Sequence, residues 1–258
     1  MTEIIAVVNQ KGGVGKTTTA INIAACLATL GKKTLIIDAD SQGNSTSGLA
    51  ISKKNLSKSF YHFLVEDESL ENITMETPVQ GLRIAPANLD LLGINQDLMQ
   101  IEDRETHLHR LLERDLGQNG NIYDFIIIDS PPNLDMMFIN IMAAATRIII
   151  PTLPEYLALE GLADLIDTYR RIRETINQNL SILGVLITKH ISTNNLSKEV
   201  TANLRTNMGH LVFNTVIPQN VRVAEAPSFC LPIILYDPKS SGSLGYQLVT
   251  KEILDRLG

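Results

Sequence analysis

Short apolar runs alternate with longer amphipathic stretches along this chain. EIIAVVN (3–9), TLIID (34–38), LRIAPA (82–87), YDFIIIDSPP (123–132), RIIIPT (147–152), ILGVLIT (182–188) and LVFNTVIP (211–218) read as strands. They are apolar throughout rather than alternating, so the sheet they build is covered on both faces. Between them, apolar residues recur at helical spacing. Ala20, Ile23, Ala24, Leu27 and Leu30 form one such face, with Gly31 as its stop. Leu98, Ile101, Leu108, Leu111 and Leu112 form a second, within 98–116. Leu162, Leu165, Ile166, Tyr169, Ile172 and Ile176 form a third, within 157–176, and further helices fall near 195–208 and 243–257. This alternation predicts an α/β fold, a doubly wound and mainly parallel sheet flanked by helices. Residues 41–81 are the least patterned. There is no repeat or low-complexity linker, so 1–258 reads as a single domain.

Composition narrows the class. Hydrophobic residues make up 44% and charged residues 19%, which excludes a mainly disordered chain. The net charge of −6 argues against binding nucleic acid through overall charge, though not through a local patch. From residue 189 onward there are seven Lys and Arg against five Asp and Glu, leaving 15 against 23 in the rest. Cys26 and Cys230 stand alone, with neither zinc spacing nor a paired motif, and suit a reducing, cytoplasmic setting. MTEIIAVVNQ lacks the features of a signal peptide, and no apolar run approaches the ~18–20 residues that span a bilayer. VTKEILDRLG has no basic amphipathic tail, so no membrane anchor is expected.

The stretch NQKGGVGKTTTA (9–20) carries the chemistry. It departs from the usual G-x-x-x-x-G-K-[ST] phosphate loop, because Gln10 stands where the first glycine belongs and Lys11 is added. The cradle survives the change. Gly12, Gly13 and Gly15 let backbone N–H groups turn toward an anion around Val14, and the helix opening near Lys16 points its positive end at the same place. Lys16 is expected to reach the β- and γ-phosphates, Thr17 to bind Mg²⁺, and Thr18 to complete the loop. Lys11 is either a solvated surface lysine or one that reaches the nucleotide of a second subunit, as an arginine finger does.

KGGVGKTTTAINIAACLATLGKKTLIIDADSQGN, YDFIIIDSPP, PEYLALEGL and VIPQNVRVAEAPS…PIILYDPKSSG together resemble the ParA/Soj branch of the ParA and MinD ATPases with a deviant phosphate loop. The resemblance covers nearly the whole chain. It implies an ATPase using ATP and Mg²⁺, slow unless stimulated by a ParB-type activating protein. It also implies a homodimer in the ATP state, in which Lys11 crosses the interface. That dimer would bind double-stranded DNA without sequence preference, placing the protein on the nucleoid, and would drive chromosome or plasmid segregation. A MinD-like positioning ATPase on a membrane is the alternative. It needs a C-terminal anchor that EILDRLG does not supply. A metabolic or iron–sulfur relative would need paired cysteines. The phosphate loop begins by residue 10, so no DNA-reading domain is expected ahead of it.

Three acids follow strand ends, where ligands of such sheets bind. Asp40 resembles the family residue that aligns the attacking water, and Asp38 reads as a switch residue near the Mg²⁺ shell. Either one could instead cap a loop. Asp129, at the tip of FIIID, suits an acid that orients Mg²⁺ and its waters, with Ser130, Pro131 and Pro132 opening a second switch. The resemblance puts the base near Thr188, Pro218 and Asn220, each of which could also be a structural turn. Arg222 matches a family position tied to DNA binding, with Lys189 and Lys198 as further cations. The chain departs from the family at Ser41 (commonly proline), at Gln219 (often arginine), and at Ser192–Thr193–Asn194, where an arginine usually stands.

Overall fold

The computed structural model describes residues 2–119 and 122–258. Among these, seven strands form one sheet in the order β3-β4-β2-β5-β1-β6-β7. They are β1 (Glu3–Val7), β2 (Thr34–Asp38), β3 (Met75–Glu76), β4 (Leu82–Ala85), β5 (Phe125–Asp129), β6 (Arg147–Thr152) and β7 (Ser181–Ile187). Neighbours pair in parallel, except β3 on β4. The main helices are α1 (Lys16–Thr29), α2 (Asn44–Gly48), α3 (Phe60–Val65), α4 (Leu70–Ile73), α5 (Ile94–Leu98), α6 (His107–Asn119), α7 (Met136–Ala144), α8 (Tyr156–Thr175), α9 (Asn195–Met208), α10 (Val221–Glu225), α11 (Ile233–Tyr236) and α12 (Ser241–Leu257).

The pleat distributes each strand between two cores, as continuous apolar strands require. Ile4, Ala6, Leu35, Ile37, Ile126, Ile128, Ile148 and Ile150 face α3, α6, α7 and α8. Ile5, Val7, Ile36, Ile127 and Ile149 face α1 and α12. Helix α1 ends as its glycine predicts. Gly31 turns left-handed (φ 81°), its N–H reaches Ala28 O, and Lys32 N–H reaches Leu27 O.

Three expectations need correction, and two elements were not anticipated. Leu30, assigned to the apolar face of α1, is 49% exposed, because it already sits on the terminal turn. The stretch 98–116 is not one helix: α5 stops at Leu98, α6 starts at His107, and Asp103 between them is left-handed (φ 53°). The run 211–218 is not a strand. It touches the sheet through isolated bridges at Val212 and Pro218 and bows outward between them, where the Glu252 carboxylate accepts the N–H groups of Asn214 and Thr215. Finally, α7 and β3 carry no periodic signal. Helix α7 is buried on nearly every side, so it shows no stripe, and β3 has only two residues.

Candidate functional site

The centre of the sheet delivers its functional residues at the carboxyl ends of β1, β2 and β5. The register places Val7 beside Asp129, and Asp129 beside Asp38. The loop leaving β1 turns through left-handed Gly13 (φ 74°) and Gly15 (φ 89°), conformations that glycine adopts without steric cost. Gly12 stays exposed with open space around its Cα. Gly15 is the N-cap of α1, so the positive end of that helix faces the loop. Thr17 and Thr18 follow in its first turn, half-buried.

Neighbouring elements hold the loop rigid. Asn9 donates its amide to Pro151 O and accepts Lys11 N–H on Oδ1. The carbonyl of wholly buried Val14 accepts Thr188 Oγ1 at 2.8 Å. Lys189 Nζ donates to Gly13 O at 2.8 Å, so this cation, first assigned to a DNA surface, sits against the glycine loop. Lys16 is only 8% exposed and reaches back to Lys11 O at 3.4 Å. Burial pulls its pKa down, while Asp129 and Asp40 push it up. Lys11 points elsewhere, its Nζ lying 3.0 Å from Glu155 Oε2 at the start of α8.

The acids divide by environment. Asp38 and Asp129 are wholly buried, and burial raises both pKa values above the carboxylate range. At Asp129 repulsion from the Asp38 charge is the second cause, after burial. Asp38 holds the chain that follows it: Oδ2 accepts the N–H and hydroxyl of Thr46, both at 2.7 Å, and Oδ1 accepts Asp40 N–H at 3.3 Å. Asp129 Oδ2 accepts Ser45 Oγ at 2.8 Å. Its Oδ1 is buried without a well-formed hydrogen bond among the described residues, although the Thr17 hydroxyl lies near enough to the carboxylate to favour its charged form. Such a buried carboxylate oxygen at a strand tip suits a hydrated divalent cation. Asp40 is half-buried, and its carboxylate accepts Gln42 N–H. Among the described residues, no three His, Cys, Asp or Glu side chains converge as a protein-only metal cage.

Thr188, Pro218 and Asn220 do come together. With Gly15, Thr18, Val223 and Tyr246 they line a cavity of about 400 Å³ beside the loop. Asn220 also caps α10, accepting the N–H groups of Arg222 and Val223. Arg222 is exposed but not unaccompanied: its guanidinium lies 3.0 Å from Glu225 and 3.6 Å from Asp237. Lys198 is exposed on α9, and no hydrogen bond or ion pair joins it to Arg222 among the described residues. Several contributors were not singled out from sequence. Ser45, Thr46 and Asn22 are buried polar residues in or near α1 and α2, and Asn22 ties Thr18 O to the N–H of Ile233. The one visible cue was a polar tract, NSTSG, starting six residues beyond an acidic strand end.

A glycine loop capping a helix opposite strand-end acids is the shared build of P-loop nucleotide-binding proteins, and the chain is one of that class. The family profile described as AAA domain (AAA_31) matches residues 2–182. The sporulation initiation inhibitor protein Soj of Bacillus subtilis is 45% identical over 253 residues, 98% of each chain. The chromosome partitioning protein ParA of Caulobacter vibrioides is 41% identical over 98% of this chain and 94% of its own. Among solved structures, cobyrinic acid a,c-diamide synthase of Mycobacterium smegmatis, with bound ADP and magnesium, superposes with a TM-score of 0.85 at 30% identity. That match covers all of this chain and 96% of the other. The chain belongs to the ParA/Soj family of chromosome-partitioning ATPases.

Proposed function

We propose that the protein is an ATPase that binds ATP with Mg²⁺, closes into a homodimer, holds DNA without sequence preference, and releases it on hydrolysis to drive segregation. The observation that carries this reading is the paired lysine geometry. Buried Lys16 sits over the loop, while half-buried Lys11 leaves it toward solvent, where among the described residues its ammonium pairs with one exposed acid, Glu155. Lys16 and the loop from Gly12 to Thr18 bind the phosphates. Thr17 and Asp129 hold Mg²⁺, with Asp38 beside them fixing the switch backbone. The metal supplies charge neutralisation at the β- and γ-phosphates. Asp40 aligns water once its carboxylate leaves Gln42 N–H. Lys11 exchanges Glu155 for the partner's nucleotide and stabilises charge on the transferring group. Thr188, Pro218 and Asn220 enclose the base.

Non-specific DNA binding needs cations for phosphate contacts. Arg222 and Lys198 serve this role, and Arg222 must first exchange Glu225 and Asp237 for phosphate. A ParB-type partner stimulates turnover, and the protein works in the cytoplasm on the nucleoid. Among the described residues, no helix is long and apolar enough to cross a membrane. The test is retention of non-specific duplex DNA with ATP, with ADP and without nucleotide, at low and moderate salt. Binding with ATP alone, weakened by salt and lost in Arg222→Ala, is expected. ATP-dependent dimerisation without DNA binding in any state would refute the DNA part, and binding to liposomes instead would favour the membrane alternative.

A further inference from the structure

Helix α2 follows Gly43, a left-handed residue (φ 60°) whose missing side chain leaves room for Lys53 and for Ala87 O. The turn it permits brings two successive hydroxyls under the strand tips. Ser45 and Thr46 are both fully buried, where an unbonded hydroxyl is costly. Each finds a different carboxylate: Ser45 Oγ meets Asp129 Oδ2 at 2.8 Å, and Thr46 Oγ1 meets Asp38 Oδ2 at 2.7 Å. The two are not equivalent. Thr46 also donates its N–H to Asp38 and accepts Ala87 N–H, so it clasps the ends of β2 and β4 together. Ser45 binds the acid whose other oxygen, Oδ1, is buried and makes no well-formed hydrogen bond among the described residues.

We propose that Ser45 is a positioning residue for the metal: its hydroxyl fixes Asp129 by Oδ2 and thereby reserves Oδ1 for the water shell of nucleotide-bound Mg²⁺. The inference rests on the reading of Asp129 as the metal-facing acid. The Ser45 hydrogen bond restrains rotation of the carboxylate about Cβ–Cγ and so favours one orientation of the second oxygen. Mg²⁺ keeps several waters and demands near-octahedral geometry, so it is sensitive to the orientation of an acid that receives those waters. Outer-shell partners of metal ligands typically contribute 10–100-fold in affinity or activity. A solvated Mg²⁺ site belongs near the lower end, about tenfold.

The test is binding of a fluorescent ADP analogue to the full chain, first in EDTA and then along a Mg²⁺ titration. Ser45→Ala is expected to bind the analogue in EDTA within about twofold of wild type. It should need about tenfold more Mg²⁺ to reach half of the metal-dependent change. Ser45→Thr, which keeps a hydroxyl, should recover most of that midpoint. An unchanged Mg²⁺ midpoint in Ser45→Ala would overturn the proposal. So would an equal loss of binding with and without metal, since that would mark Ser45 as a packing residue. Asp129→Asn separates the two levels of the argument. It should abolish the metal-dependent change, and if it does not, the reading of Asp129 itself has failed.

Discussion

Replacing Asp129 by asparagine should stabilise the nucleotide-free protein at alkaline pH while disabling its response to metal. Asp38 and Asp129 are register neighbours on adjacent strands, both fully buried, and Asp129 Oδ1 makes no well-formed hydrogen bond among the described residues. Folding pushes Asp38 up to about 6 and Asp129 up to about 7. A carboxyl whose pKa rises on folding contributes stability below its unfolded value, near 4, and loses it as pH climbs through the folded value. Wild-type stability should therefore decline between about pH 4 and pH 7 on account of this pair. At pH 8 the ionised Asp129 opposes folding by on the order of 2–4 kcal/mol, taking about 1.4 kcal/mol per unit. Asparagine keeps an acceptor for Ser45 but adds an amide needing partners of its own, so the net gain should be about 2 kcal/mol. For a chain of this size that raises the melting midpoint by roughly 4–8 °C. Thermal unfolding in EDTA from pH 5 to 8.5 reads it directly. The variant should melt higher at pH 8, converge with wild type near pH 5, and gain nothing further from Mg²⁺ with nucleotide. Parallel pH profiles, or an equal or lower midpoint for the variant at pH 8, would refute the reasoning.

Lys11 and Glu155 are 37% and 54% exposed, so their ion pair is worth under about 1 kcal/mol. Glu155→Gln should raise ATP-dependent self-association by up to about fivefold in light scattering, whereas Lys11→Ala should abolish it and leave nucleotide binding intact. A Cβ on Gly184 would lie 2.4 Å from the buried Phe213 ring, which Arg256 covers from 4.2 Å. Gly184→Ala should therefore cost about 1–3 kcal/mol in denaturant unfolding without changing the nucleotide affinity of the folded protein. Asn22→Ala leaves the buried Ile233 N–H unsatisfied, at about 1–3 kcal/mol. It should also weaken nucleotide binding in a fluorescence titration, because Asn22 joins the first turn of α1 to α11.

The sheet was legible because buried parallel strands leave uninterrupted β-branched runs, and six of the expected runs became strands. The glycine loop was legible because its backbone geometry demands glycine at defined places. The run 211–218 misled because burial of Val212, Phe213 and Ile217 produces strand-like composition without a continuous ladder. Helix α7 escaped for the opposite reason, since burial on nearly all sides erases periodicity. In the site, charged residues and the threonines of the glycine loop announced themselves, while Ser45, Thr46 and Asn22 did not. Nothing in a serine signals that it will be carried under a carboxylate 84 positions away. Arg222 was legible as a cation, but its two acidic companions come from a turn of α10 and from the end of α11, an arrangement that spacing alone does not display.

The glycine loop and the cavity beside it are assembled from opposite ends of the chain. Thr188 reaches Val14 across 174 positions, Ile233 reaches Asn22 across 211, and Tyr246 meets Thr19 across 227. During synthesis, the glycine loop therefore leaves the ribosome long before its walls exist. At roughly 5–20 residues per second, about 10–45 s separate the loop from α12. A nascent chain in that interval has the glycine loop without the cavity wall supplied by Pro218, Asn220 and Tyr246, and one face of its central sheet uncovered by α12. Full enclosure of the loop should thus arrive only after α10 to α12 have folded against it.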